Sequence, residues 1–131
     1  MNIVIDSGNT FSKIGWFEDD KLIRYTTRLT FDQLIEAVLA ELPDNILFSS
    51  VSHTVADFKI AVGKELKVLD LSPETPLPIT KNYDTPQTLG ADRIAASAGA
   101  NFLYPDEDLV VIDMGNCITY DLIDKNAVFQ G

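Results

Sequence analysis

The chain has 131 residues, 46% of them hydrophobic and 23% charged, which fits one domain or an incomplete pair of smaller ones and supplies enough apolar material for a core. Its 20 acidic and 10 basic residues give a net charge of −10, a surface that disfavours nucleic acid as a partner while leaving room for a local nucleotide site with its own cations. Cys117 is the only cysteine, no signal peptide opens the chain, and no apolar run approaches the ~20 residues of a bilayer span, so no intrachain disulfide and no membrane segment are expected, and the location reads as cytoplasmic.

NIVID, residues 2–6, is apolar and β-branched and predicts a buried strand that ends in the turn Ser7-Gly8-Asn9. FSKIGWFE (11–18) and KLIRYTTRL (21–29) predict two further strands, joined at Asp19-Asp20, so the chain starts with an antiparallel meander. Thr30 is the predicted N-cap of a helix whose apolar residues Leu34, Ile35, Val38, Leu39 and Leu42 fall at helical spacing, and Pro43 stops it. ILFSSV (46–51) predicts a short buried strand, 54–63 a helix and VLDL (68–71) a strand. Residues 72–86 hold four of the six prolines and predict an extended connector. ADRIAASAGANFLY (91–104) predicts a helix with a face of small residues, Ala95, Ala98 and Gly99, suited to close packing. DLVVID (108–113), CITYDLI (117–123) and AVFQG (127–131) predict three more strands, the last two joined at Asp124-Lys125-Asn126.

The chain spells nearly the same six residues twice: VIDSGN at 4–9 and VIDMGN at 111–116. Each copy begins strand, Asp-x-Gly-Asn turn, strand. The repeat predicts a first domain over 1–108 and the start of a similar, truncated second domain over 109–131. Such a second domain would lack the helices that should cover its sheet, which implies a longer two-domain protein.

Two motifs could carry chemistry. In DSGNTFSK (6–13) a carboxylate ends a strand, Gly8 lets a phosphate approach the backbone, and Asn9, Thr10 and the turn N–H groups can donate to it. Lys13 can place a positive charge on a phosphate, and Asp6 would sit near the accompanying metal ion. One copy alone fits an ordinary hairpin with an Asx turn equally well. Two copies suit a nucleotide held between similar domains. In YDTPQTLGADRIAA (83–96), Gly90 precedes a helix with Asp92 and Arg93 in its first turn. Asp92 is either an acid stabilising the helix start or a general base for a hydroxyl that attacks phosphate. Arg93 is either a surface residue or a planar fork for a carboxylate. No Walker or dinucleotide-binding glycine pattern follows any strand.

The paired hairpins resemble the actin-like ATPase superfamily, with its ribonuclease H-like domains. DSGNTFSK together with Tyr83, Pro86, Leu89, Gly90, Asp92 and Arg93 resembles, more specifically, type III pantothenate kinase. The resemblance implies an α/β fold with a mixed sheet, an N-terminal antiparallel meander and flanking helices. It implies ATP-dependent phosphorylation of pantothenate to 4'-phosphopantothenate, the first step of coenzyme A synthesis. Asp92 would be the base. Tyr83, Gly90, Ala91, Asp92 and Arg93 would contact pantothenate, with Arg93 on its carboxylate. Asp6, Ser7, Gly8, Asn9, Thr10, Lys13 and Asn116 would hold ATP, with Mg2+ near Asp6. Asp113 would bind a monovalent cation, K+ or NH4+. The resemblance also implies a homodimer, for which the small-faced helix is an interface candidate.

Two departures stand out. The family's second hairpin reads Asp-x-Gly-Thr-x-x-Thr-x-Asp. Here Thr119 and Asp121 match, but Asn116 replaces the first threonine, which predicts retuned nucleotide binding. The family's C-terminal half has no counterpart in the chain, which predicts that these 131 residues are inactive alone. His53 reads as a loop or capping residue, Cys117 as a buried strand residue, Trp16 and Phe17 as core or partner-face residues, and 106–108 as a solvated acidic loop. The rival readings are a non-catalytic metabolite-sensing or transcriptional accessory protein on the same fold, or another small-molecule kinase of the superfamily.

Overall fold

Period-two alternation builds the first sheet. In β1 (Asn2–Ser7) the side chains of Ile3, Ile5 and Ser7 are buried, and those of Asn2, Val4 and Asp6 are half-buried on the other face. A computed structural model describes residues 1–63, 65–115 and 117–131, without the side chain of Pro86. β1 pairs antiparallel with β2 (Ser12–Glu18) and parallel with β4 (Asn45–Ser50). β3 (Lys21–Leu29) extends one edge antiparallel, and β5 (Val68–Asp70) extends the other parallel, so the order is β3-β2-β1-β4-β5. The expected meander is present.

Two helices cover the buried face. Thr30 caps α1 (Phe31–Glu41) with a capping box: Gln33 N–H donates to Thr30 Oγ1 at 3.3 Å, and Thr30 N–H donates to Gln33 Oε1 at 3.0 Å. Such a box ties down N–H groups that would otherwise have no partner. α1 ends at Leu42, in the left-handed region at φ 46°, one residue before Pro43. Thr54 caps α2 (Val55–Val62) by accepting from Asp57 N–H at 3.1 Å. Leu34 and Val38 of α1, Phe58 and Val62 of α2, and Ile3, Ile5, Ile14, Trp16, Ile46 and Phe48 of the sheet form one buried cluster. At ~1.5–3 kcal/mol for each fully buried large apolar side chain, this cluster is the main stabilising term of its unit.

The chain divides into two compact units, Met1–Leu71 and Ser72–Gly131. The sequence reading put its boundary at 108/109 on the strength of the repeat, whereas the units follow packing. The helix of 91–103 belongs to the second unit, where it packs on the strands of 109–114 and 118–123.

The second unit holds β6 (Thr80–Lys81), a 3-10 turn (Pro86–Thr88), α3 (Ala91–Leu103), β7 (Leu109–Met114), β8 (Ile118–Ile123) and β9 (Val128–Phe129). Its sheet runs β6-β9-β8-β7. The region expected to be a plain connector therefore contributes a strand: β6 pairs parallel with β9 through Thr80↔Val128 and Lys81↔Phe129. The buried residues of α3 are Ile94 and Ser97. Of the predicted small face, Ala95 and Ala98 are half-buried and Gly99 is exposed, with nothing within 4 Å of a Cβ built on it among the described residues. Leu89, Ile94 and Phe129 form the unit's small apolar cluster. No helix among the described residues is long and apolar enough to cross a membrane.

Candidate functional site

The first hairpin places the predicted phosphate-binding residues around one turn. Asp6 and Lys13 are cross-strand neighbours, and Lys13 Nζ donates to Asp6 Oδ2 at 3.2 Å. The two side chains are 48% and 63% exposed. A pair this exposed is held by at most ~1 kcal/mol, so the ammonium can turn to a phosphate at little cost. The turn closes where Gly8 N–H donates to Phe11 O at 3.2 Å. A Cβ on Gly8 would lie 3.2 Å from that same oxygen, so the glycine serves close approach. Asn9 and Thr10 are exposed at the tip. Beneath them Ser7 and Ser12 are buried, and Ser12 Oγ donates to Ser7 Oγ at 3.0 Å.

The second hairpin repeats the motif with a turn one residue shorter and with different chemistry. Asp113 pairs across the strands with Thr119, and Met114 with Ile118. Gly115 N–H donates to Cys117 O at 3.0 Å. Asp113 is exposed at the end of β7. Thr119 Oγ1 is buried with no hydrogen-bond partner among the described residues. A buried hydroxyl without a partner is costly, and one cross-strand from a carboxylate is an oxygen pair that suits a hard cation. Asn116 lies outside the described residues. Cys117, expected to be buried, is exposed, because it belongs to the turn and not to β8.

Gly90 opens α3 without any side-chain cap. Asp92 Oδ1 folds back over it, 2.4 Å from where a Cβ would stand, so any larger residue at 90 would push the carboxylate away. Asp92 itself is exposed, and among the described residues it makes no hydrogen bond or ion pair. Its neighbour Arg93 is engaged. Nε donates to both oxygens of Asp121, at 2.9 and 3.2 Å, and Nη2 donates to Oδ1 as well. Asp121 is 2% exposed. Its carboxylate, and secondarily Tyr83, hold the Arg93 guanidinium above its ordinary pKa against the opposing effect of burial. The Tyr83 ring lies 5.9 Å from the guanidinium and packs edge-on to Phe129. A guanidinium has five N–H donors, so Arg93 can keep Asp121 and still accept a second carboxylate.

Asp92, Arg93 and Tyr83 thus share one end of the second unit, and Asp6 to Lys13 share one end of the first. Sequence reasoning passed over Asp121 as a partner for Arg93. The only signal was its place in the hairpin motif, two residues after Thr119. His53 lies in a loop, as expected, and touches Ser52, which reaches the first turn. Among the described residues no group of three or more His, Cys, Asp or Glu is gathered around a metal-sized space. A single carboxylate such as Asp6 nevertheless fits Mg2+, which usually takes one or two carboxylates and completes its shell with phosphate and water oxygens.

Comparison with known proteins gives a consistent family. Residues 2–131 match the family model for type III pantothenate kinase. The chain is 43% identical over 131 residues to the type III pantothenate kinase of Cytophaga hutchinsonii, covering all of this chain and 55% of the relative. It is 38% identical over 135 residues to that of Christiangramia forsetii, covering all of this chain and 56% of the relative. The chain therefore spans about half the length of these relatives. Among solved structures, a Campylobacter jejuni protein described as a conserved Baf family transcriptional activator matches at TM-score 0.55 and 25% identity, over 98% of this chain and 51% of that one.

Proposed function

The chain belongs to the type III pantothenate kinase family, and on that premise we propose that its protein transfers the γ-phosphoryl group of ATP to the primary hydroxyl of pantothenate, giving 4'-phosphopantothenate. The observation that carries the reading is Asp92: an exposed carboxylate, free of partners among the described residues, beside an arginine held in a fixed orientation. Asp92 accepts the hydroxyl proton as that oxygen attacks phosphorus. Arg93 receives the pantothenate carboxylate on donors that Asp121 leaves open, and Tyr83, Gly90 and Ala91 line the same end of α3. The uncapped N–H groups at the start of α3 favour an anion there.

Asp6, Ser7, Gly8, Asn9, Thr10 and Lys13 hold the ATP phosphates, with Lys13 leaving Asp6 for phosphate oxygen. Asn116 is assigned to the same ligand by its place in the repeat. Mg2+ fits beside Asp6, where it would neutralise phosphate charge. A monovalent cation, K+ or NH4+, fits Asp113, with the unpartnered Thr119 hydroxyl as a second oxygen.

The repeated hairpin supports an actin-like pair of domains, the first over 1–108 and a second that begins at 109. The charge of −10 supports a protein without nucleic-acid partners, and we place it in the cytoplasm as a homodimer, with α3 as an interface candidate. Because the chain spans about half of its relatives, these 131 residues alone are expected to be inactive. The description of the Campylobacter protein names a second reading, a transcriptional accessory role on the same fold. A free base and a phosphate-directed lysine have no use in such a role. Incubating the full-length protein with ATP, Mg2+, K+ and pantothenate tests the choice. Formation of 4'-phosphopantothenate is expected, and ATP consumption absent or indifferent to pantothenate would contradict it.

A further inference from the structure

We propose that Ser52 and His53, in the loop after β4, are positioning residues for the phosphate turn of the first hairpin; this rests on the assignment of that turn to ATP. Ser52 Oγ donates to the carbonyl oxygen of Gly8 at 2.9 Å, 44 residues away in sequence. A serine hydroxyl has one proton. With that proton on Gly8, the 2.9 Å contact between Ser52 Oγ and His53 Nδ1 is a donation from the ring N–H to the serine oxygen. Ser7 Oγ approaches the same oxygen at 3.5 Å and itself accepts from Ser12. The donors therefore run in one direction, from Ser12 through Ser7 to Ser52 and on to Gly8.

The loop is itself fixed at both ends. Ser50 Oγ accepts from Ser52 N–H at 3.2 Å and from His53 N–H at 2.9 Å, and Val51 N–H donates to Ser7 O at 3.1 Å. The His53 ring stacks on Phe31, the first residue of α1, at 4.0 Å and 11°. A route of contacts therefore runs from α1 through Phe31, His53 and Ser52 to the Gly8 peptide. The N–H of Gly8, on the preceding peptide, closes the turn on Phe11. Fixing the Gly8 carbonyl fixes the plane of the Gly8–Asn9 peptide, and with it the direction of the Asn9 N–H that the ATP reading aims at phosphate.

The test uses the full-length protein and two readouts, the Kd for ATP and hydrogen exchange at residues 8–11. Ser52→Ala and His53→Phe are each expected to weaken ATP binding about three- to tenfold, the scale of one hydrogen bond, and to speed exchange in the first turn. Exchange in the second hairpin and KM for pantothenate should stay at wild-type values. His53→Phe keeps an aromatic ring on Phe31 and loses only the donor. Ser52→Thr keeps the hydroxyl and His53→Asn keeps an N–H donor, and both should restore ATP binding to within about twofold, inside the loss set by one hydrogen bond. Wild-type ATP affinity in Ser52→Ala would overturn the proposal. So would equal losses in the Thr and Asn variants, since a merely structural role predicts them. ATP binding without pantothenate phosphorylation in the wild type would sink the kinase reading alone. Wild-type protein that fails to bind ATP would sink both.

Discussion

The two Asp-x-Gly-Asn hairpins differ in their six repeated residues only at Ser7 and Met114, and that one difference reports a reversal of environment. Ser7 is buried among hydroxyls on the face covered by α1 and α2, while Met114 is 76% exposed. In β1 the aspartate shares its face with the half-buried Asn2 and Val4. In β7 the aspartate shares its face with Leu109 and Val111, opposite Ile123 and Asp121, the face that α3 covers. The other face of that second hairpin carries Val110, Ile112 and Met114 paired with Leu122, Tyr120 and Ile118, all exposed. The cross-strand partner of the aspartate differs too: a lysine in the first hairpin, a threonine in the second. One local sequence thus ends a strand at the same aspartate twice, and the residues that follow and pair with it decide whether the turn carries a cation or an unpaired oxygen.

The largest expected effect lies in the second unit. Its apolar cluster is small, and the Arg93–Asp121 pair takes the place of a larger core. Asp121→Ala leaves the guanidinium without its carboxylate. Breaking a buried pair costs about 3–5 kcal/mol, and we expect the low end because Arg93 is 25% exposed. Hydrogen exchange should show α3 and β8 opening while β1, β2 and β4 keep their protection. Uniform loss of protection across both sheets would contradict the place given to this pair in the second unit.

Lys13→Met should be milder. It removes a phosphate partner on an exposed strand, so the fold should persist while ATP affinity falls about tenfold, the scale of one charge-assisted contact. Unchanged affinity, measured by calorimetry, would break the contrast between the two hairpins. Thr119→Val should be the smallest. It removes an unpartnered buried hydroxyl and should stabilise the chain by about 1 kcal/mol or less in cation-free buffer. If K+ reverses that gain by stabilising the wild type alone, the oxygen pair of Asp113 and Thr119 is a cation site. A Val variant that K+ stabilises as much as wild type would remove Thr119 from it.

What the sequence made legible was local. Alternation in NIVID and SKIGWFE, the Asp19-Asp20 turn and the Thr30 cap each write their conformation within a few residues, and the meander and α1 followed from them. The repeat placed both hairpins. What stayed hidden depended on distant partners. Arg93 and Asp121 are 28 residues apart, and only the place of Asp121 in the hairpin motif marks it. Ser52 reaches back across β4 to Gly8. Cys117 was misjudged because one residue decides whether a position belongs to a strand or to its turn. The small residues of α3 were expected to be its contact face, but Ile94 and Ser97 face inward.

The central claim is that Asp92 is the base of a pantothenate kinase. It is tested most directly by measuring phosphorylation of pantothenate and binding of ATP side by side in full-length wild type and Asp92→Ala. The account predicts that turnover falls by about 10²–10⁴-fold, the usual contribution of a positioned base, while ATP binds as in wild type. Turnover within a few-fold of wild type would contradict it.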